Sequence, residues 1–348
     1  MKNIPFLSRS PLLALGLLMF FCASHALAWG GAQHVYINRY AGYNVPPEMT
    51  GWRAFARPMA FPGIYPDLWK SHDRAETPRH YFEPDRLPGE FDMYSIPRDQ
   101  TDGLASVYLT KEELGIAPWV ILELLQQMSE AMRTNDWMWA ARCGATMGHY
   151  VGDLHMPLHC TRNYNGQETG QYGVHTRMEI DMTKAFFRKE NMRVKRGKYL
   201  EDPFHSVLTW VDESVQQIPL ILNSDIIAKR TAGGRTDNEA YYLKFWELME
   251  EAIMGRISDA ASNLASLWYT AWVDAGKPAI PAPFDELPDT SLFTGIGIDA
   301  ADTDSTPLPP NRQKKKYDLI VWCAMGGMAA LIVASSLFRS IRRKKTGK

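Results

Sequence analysis

Residues 118–159 read PWVILELLQQMSEAMRTNDWMWAARCGATMGHYVGDLHMPLH, and two helices follow from this one run. Pro118 suits a first helical turn, where its missing N–H costs nothing. Ile121, Leu124, Leu125, Met128 and Met132 then recur at helical spacing. Asn135 or Asp136 can cap a second helix that passes through Trp139 and Met147 towards Gly152 and ends before Pro157. Working outward, helical patterns recur over 178–189, 206–222 and 238–275, the last rich in aromatics (Phe245, Trp246, Trp268, Trp272). Alternating strand patterns are nearly absent. Loops are marked by the glycines of 163–173 and by Gly233-Gly234. The expectation is an all-α fold, a single multi-helix domain over 29–277 packed around one core.

Composition narrows the class. Lys and Arg number 38 against 39 Asp and Glu, and a net charge of −1 excludes a strongly basic nucleic-acid binder. Hydrophobic residues at 45% and charged ones at 22% exclude wholesale disorder. Four cysteines are too few for a disulfide scaffold or a Cys-rich zinc module.

Both ends carry targeting patterns. Residues 1–28 read as a signal peptide: Lys2 and Arg9, an apolar stretch over 12–23, and a small-x-small site at 26–28. Cleavage there makes Trp29 the new N-terminus. Residues 278–318, interrupted by Pro278, Pro281, Pro283, Pro288, Pro307, Pro309 and Pro310, read as a tether. Residues 319–338 are uncharged and long enough for one transmembrane helix, and 339–348 form a basic tail. The charge bias places that tail in the cytoplasm. The expectation is an exported, membrane-anchored protein with its folded domain outside the cytoplasm, on the periplasmic or cell-surface side. Cys22 leaves with the signal and Cys323 sits in the anchor. Cys143 and Cys160 remain, as a disulfide or as two buried thiols.

The histidines carry the chemistry. His149 and Asp153 stand four apart, so both side chains share one helix face. His159 follows just past Pro157, and His175 with Glu179 repeats the four-residue pair. Zinc takes imidazole nitrogen and carboxylate oxygen at roughly 2.0–2.2 Å, with four ligands in a structural site or three plus water in a catalytic one. Five candidates from two helices and a loop exceed one ion, which points to a cluster.

The string from Gly148 to His159, then His175 and Glu179, resembles the zinc-dependent phospholipase C superfamily, which also includes the fungal-type single-strand-specific nucleases. The resemblance extends to Trp29-Gly30 with His34, to Asp67, to Pro78-Arg79-His80-Tyr81, and to the run 267–272. It implies an all-α domain with three zinc ions. Asp67, His80, His149 and Asp153 would hold the first, and His159, His175 and Glu179 the second. The amine and carbonyl of Trp29, His34 and a bridging Asp153 would hold the third, which requires that the signal be removed. Asp73 and Asp85 are alternatives to Asp67. His155 matches no ligand and is expected to support the ligands by hydrogen bonding, while His72 and His205 match nothing. Glu179, where Asp is the other choice, is phospholipase-like; the short interval from Trp29 to His34 is nuclease-like.

The activity so implied is phosphodiester hydrolysis, by a hydroxide held between zinc ions, with Asp67 and Asp153 as the catalytic carboxylates. Phospholipid or another small phosphodiester is the expected substrate. Single-stranded nucleic acid is the alternative, since aromatic side chains stack on bases. The basic run Arg188, Lys189, Arg193, Lys195, Arg196 and Lys198 could meet phosphates of either. A membrane-tethered domain that binds zinc without catalysis is a further alternative. The membrane is the expected partner, through the C-terminal helix, and no protein partner is inferable.

Overall fold

Pro118 lies in the first turn of a helix, Ala117–Arg133, which buries Val120, Ile121, Leu124, Leu125, Met128 and Met132 along one face. The chain then turns through Asn135, at φ 61°, and Asp136 caps the next helix, Trp137–Leu154, by accepting from the Trp139 amide at 3.0 Å. These observations come from a computed structural model that describes residues 31–70 and 72–292. All of them fall in one compact unit, Met1–Gly297. In chain order the helices are α1 (Ala32–Tyr43), α2 (Tyr65–Lys70), α3 (Gln100–Val107), α4 (Lys111–Leu114), α5 (Ala117–Arg133), α6 (Trp137–Leu154), α7 (Val174–Thr176), α8 (Thr183–Phe186), α9 (Pro203–Val215), α10 (Ile218–Thr231) and α11 (Glu239–Asp274). Short 3₁₀ turns join several of them, and a π-helical turn, Arg177–Met182, links α7 to α8.

Helix α11, 36 residues long and capped by Asn238, is the spine against which α1, α5, α6 and α10 pack. Its Ser258, Ser262, Ser266 and Thr270 form a hydroxyl ladder at four-residue spacing. These accept hydrogen bonds from the amides of Arg193, Lys195, Lys198 and Leu200 at 2.9–3.1 Å. An extended segment without a sheet partner thus finds acceptors for its buried N–H groups. The basic side chains of that segment, Arg193, Lys195, Arg196 and Lys198, lie towards the surface.

The all-α expectation agrees with the structure, which has no strand among the described residues. Three corrections follow. The stretch 206–222 is two helices, α9 and α10, because Pro219 occupies the first turn of the second and cannot continue the first. The helix expected over 178–189 starts earlier, at Val174, and stops at Phe186.

The third correction concerns the membrane. No helix among the described residues is long and apolar enough to cross one. The longest, α11, carries Glu239, Lys244, Glu247, Glu250, Glu251, Arg256, Asp259 and Asp274. The expected fold, all-α plus a C-terminal transmembrane helix, is therefore corrected to an all-α domain with no membrane-crossing helix among the described residues. The membrane-anchored localisation built on that helix is withdrawn. The signal peptide 1–28, Trp29, the end of the tether, the run 319–338 and the tail 339–348 lie outside the described residues. Cys143 and Cys160 are both free and buried, and burial pushes each thiol up to about 12.

Candidate metal centre

Three glycines at four-residue spacing on α6, Gly144, Gly148 and Gly152, give that helix a face without side chains. A Cβ on Gly148 would lie 1.7 Å from Asn38 Oδ1, and one on Gly152 would lie 2.9 Å from His34 Nδ1. Helix α1 therefore seats directly on the backbone of α6. Asn38 fixes the contact by donating to the carbonyls of Met59 and Ala145, at 2.9 and 3.0 Å. His34, one turn before Asn38 on α1, is thereby laid against His149, ring on ring, with centroids 4.0 Å apart.

His149 itself is fixed by its Nδ1, which donates to the Gly63 carbonyl at 2.8 Å. Gly63 belongs to the 3₁₀ turn Phe61–Ile64 that leads into α2, and α2 supplies Asp67. The next 3₁₀ turn, Arg74–His80, is capped by Asp73 and ends in His80. His149 Nε2 then faces His80 Nδ1 at 3.0 Å, Asp153 Oδ2 at 3.2 Å and Asp67 Oδ1 at 3.7 Å. His80 Nδ1 is also 3.0 Å from Asp153 Oδ2, and Asp153 Oδ1 is 3.5 Å from His34 Nε2. Lys70, one turn after Asp67, pairs with its Oδ1 at 2.9 Å.

A second set lies beside this one. Past α6, the 3₁₀ turn Pro157–Cys160 presents His159, whose Nδ1 donates to the His80 carbonyl at 2.6 Å. Its Nε2 lies 3.3 Å from Glu179 Oε1. His175 anchors Nδ1 on the Tyr164 carbonyl at 3.1 Å and turns Nε2 to Glu179 Oε2 at 2.7 Å.

The structure thus gathers three groups whose ligand atoms lie within 4.8 Å of one another: His34, His149 and Asp153; Asp67, His80 and His149; His159, His175 and Glu179. Asp153 stands here with His34, and His149 is shared between the first two groups. The alternatives to Asp67 are engaged elsewhere. Asp73 accepts from the Ala75 amide, and Asp85 binds the Thr161 hydroxyl and the Arg162 amide. His155, fully buried, donates through Nδ1 to the Val151 carbonyl and meets Asn263 at Nε2. His205 is exposed against Tyr94, and His72 is exposed.

Burial and close opposite charges shift these groups strongly. Burial, with His149 close by, drives the His34 imidazole down to about 3. Burial opposes the charge on Asp153, but His149, His159 and hydrogen bonds from His149 and His80 hold its carboxyl well below the usual range. Asp67 is likewise lowered, since His149, Lys70 and His80 outweigh its burial. Glu179 is lowered by His175 and His159 despite burial. His159 moves the other way: burial disfavours its charge, but Asp153 and Glu179 prevail and lift it to about 9.

Five buried polar atoms in this region lack a hydrogen-bond partner: both ring nitrogens of His34, Asp67 Oδ2, His80 Nε2 and Asp153 Oδ1. Buried polar groups without partners are costly and rare. Imidazole nitrogen and carboxylate oxygen are the donors that zinc takes; of the five atoms, His80 Nε2 faces Glu76 Oε1 at 3.5 Å, and it is Nδ1 of that ring that faces Asp153, His149 and Asp67. The residues present fit that ion.

Sequence reasoning missed Glu76, Tyr150 and the glycine face. Glu76 precedes His80 by four residues, the same His/carboxylate spacing as at 149/153 and 175/179, and that spacing could have found it. The glycines could have been read as a four-residue repeat inside a helix.

The chain matches no family model and no curated protein. Among solved structures it is similar to the alpha toxin from Clostridium absonum, with 12% identity and a TM-score of 0.44. The match covers 72% of this chain and 65% of the toxin, just under two thirds of its length. A likeness of that degree fixes neither family nor activity.

Proposed function

We propose that this chain is a zinc-dependent phosphodiester hydrolase of the phospholipase C type, acting on phospholipid or another small phosphodiester. The observation that carries the proposal is three adjoining His/carboxylate groups, the inner two of which hold buried ring and carboxylate atoms without hydrogen-bond partners. Catalytic zinc sites take three protein ligands and keep a position for water, and His159, His175 and Glu179 form such a group of three. Three ions are the natural complement. His34 and Asp153 would hold one, to which the sequence resemblance adds Trp29. Asp67, His80 and His149 would hold a second, with Asp153 beside them. His159, His175 and Glu179 would hold a third.

Zinc bound there supplies Lewis acidity, polarising a phosphoryl oxygen and acidifying water near neutral pH. The chain's own residues do the rest. Asp153 spans two groups, its Oδ2 towards His80 and His149 and its Oδ1 towards His34, and so sets their separation. Asp67 Oδ2, buried and without a hydrogen-bond partner, would accept a proton from an attacking water. Lys70, about one-third exposed, brings a positive charge to the Asp67 side, where a phosphodiester anion would approach.

The nuclease alternative draws on one observation. Tyr164 is half exposed and meets His175 edge-on, and Tyr172 is exposed nearby in sequence, a pair of surfaces on which bases could stack. The deciding experiment gives the purified protein dissolved short-chain phosphatidylcholine and single-stranded DNA side by side, each with and without a zinc chelator. Chelator-sensitive release of phosphocholine supports the proposal. Chelator-sensitive cleavage of DNA alone replaces it with the nuclease. A zinc-loaded protein silent on both substrates and on a small chromogenic phosphodiester such as bis(p-nitrophenyl) phosphate rejects the hydrolase.

A further inference from the structure

The histidines of the centre are not oriented alike. His149, His159 and His175 each anchor Nδ1 on a backbone carbonyl and present Nε2 to the carboxylates. His80 does the reverse. Its Nδ1 faces Asp153, His149 and Asp67, while its Nε2 points away, towards Glu76 Oε1 at 3.5 Å. A backbone carbonyl accepts only a proton, so it fixes which nitrogen of a ring carries the hydrogen. Neither ring nitrogen of His80 is anchored in that way; the groups that face them are side chains. The carbonyl of His80 itself is taken by His159 Nδ1.

Glu76 fills that place. Its side chain is fully buried, which for a carboxylate demands partners. Arg79 Nη1 donates to Oε2 at 2.8 Å, and the Tyr150 hydroxyl donates to Oε1, the oxygen that faces His80. The Tyr150 ring stands edge-on to both His80 and His149, at 5.5 and 5.6 Å between centroids. Tyr150 follows His149 directly on α6, so one helix carries both a candidate ligand and the group that steadies the carboxylate behind another.

We propose that Glu76, steadied by Tyr150 and Arg79, is a positioning residue of the metal centre: it keeps the proton on His80 Nε2 and leaves the Nδ1 lone pair for the ion. This rests on the metal-centre reading above. Carboxylates that hold the outer nitrogen of a ligating histidine fix its tautomer and raise its basicity, and losing one costs roughly 10–100-fold in metal affinity.

The test uses the full chain, stripped with a chelator, in wild-type form and as Glu76→Leu, Glu76→Gln and Tyr150→Phe. Nitrogen-15 NMR of labelled histidines reads which His80 nitrogen is protonated, and competition against a chromophoric chelator reads zinc affinity. The wild type is expected to show the proton on Nε2 before and after zinc. Glu76→Leu is expected to lose that signature and to bind zinc roughly 10–100-fold more weakly. Glu76→Gln, which keeps an acceptor oxygen, should restore the Nε2 proton and most of the affinity, and Tyr150→Phe should fall between. Should Glu76→Leu fail to fold by circular dichroism, the glutamine and phenylalanine variants carry the same comparison. The proposal is overturned if wild-type His80 carries its proton on Nδ1, or if Glu76→Leu matches wild type in both readouts. A wild type that shows the Nε2 proton yet takes up no zinc rejects the metal-centre reading and leaves the Glu76 contact standing.

Discussion

The two halves of the centre are assembled differently. The inner residues, His34, Asp67, His80, His149 and Asp153, come from α1, α2, the 3₁₀ turn Arg74–His80 and α6, and are almost wholly buried. The outer ones, His159, His175 and Glu179, come from one stretch of chain, and His175 is one-fifth exposed. Inner geometry is therefore a product of tertiary packing: α1 must seat on the glycines of α6 before His34 meets His149. Outer geometry is mostly local, set by one turn, one loop and a π-helical segment. The difference teaches that metal and fold should be tightly coupled in the inner region and loosely coupled in the outer one.

The largest expected effect comes from Asp153→Asn, since Asp153 touches two groups at once. The variant should lose inner zinc and turn over on the order of 10²–10³-fold more slowly, the scale of removing one preorganised charge-stabilising group. Zinc analysis and single-turnover kinetics measure both. Wild-type turnover with full metal content would break the comparison at its centre. His175→Ala should lose only outer metal, and in chelator-stripped protein it should leave the unfolding free energy in urea within about 0.5 kcal/mol of wild type. A large loss of stability there would show that the outer region is not local after all.

Next in size is a packing test. Gly148→Ala forces a methyl into Asn38 Oδ1, with the anchored Asn38 amide on one side and Leu264 Cδ2 at 2.7 Å on the other. Overpacking of this kind costs about 1–3 kcal/mol, and here it should also loosen His34. The matched control is Gly255→Ala on α11, where a Cβ meets nothing within 4 Å. That change should stabilise by about 0.5–1 kcal/mol, the helix preference for Ala over Gly. Urea midpoints of the two variants give the comparison directly. Equal effects would mean that the glycine face of α6 does not seat α1.

The outer half, together with the inner pair His149 and Asp153 on α6, was the more legible in sequence, because these residues lie close together along the chain. His149, Asp153, His159, His175 and Glu179 are spaced by helix geometry and one loop, so their order along the chain reports their neighbourhood. His34, Asp67 and His80 were reached only through the resemblance, because no periodicity links residues on separate elements. Glu76 shares the four-residue His/carboxylate spacing, but a single such pair is common on any helix, and its burial, which sets it apart, is a tertiary fact. The helical class followed from Pro118, Asp136 and the apolar spacing between and beyond them, while the break inside 206–222 needed Pro219 to be weighed as a helix start. The membrane helix rests on the hydropathy of 319–338 alone, and no described helix supports it.

The smallest effect separates the halves by the proton each must lose. In chelator-stripped protein, burial drives His34 down to about 3, whereas Asp153 and Glu179 overcome burial and lift His159 to about 9. At pH 7, then, His34 is neutral and ready for a metal and His159 is protonated; burial disfavours the charge on His149, but Asp153 and Asp67 prevail and raise that inner histidine as well. Zinc entering the outer group should release about one proton and bind more tightly as pH rises towards 9, because a ligand must be deprotonated to bind. The stability signs are opposite too. A lowered histidine adds stability above its unfolded value near ~6.5 and loses it as pH falls, whereas a raised one adds stability below that value and loses it as pH climbs through about 9. Calorimetry of zinc binding in buffers of differing ionisation enthalpy counts the protons. His159→Gln should abolish the release, and His34→Gln should leave it unchanged. If His159→Gln leaves the release unchanged, the proton comes from the inner His149, which Asp153 and Asp67 raise against its burial, and the two halves trade places in their response to pH.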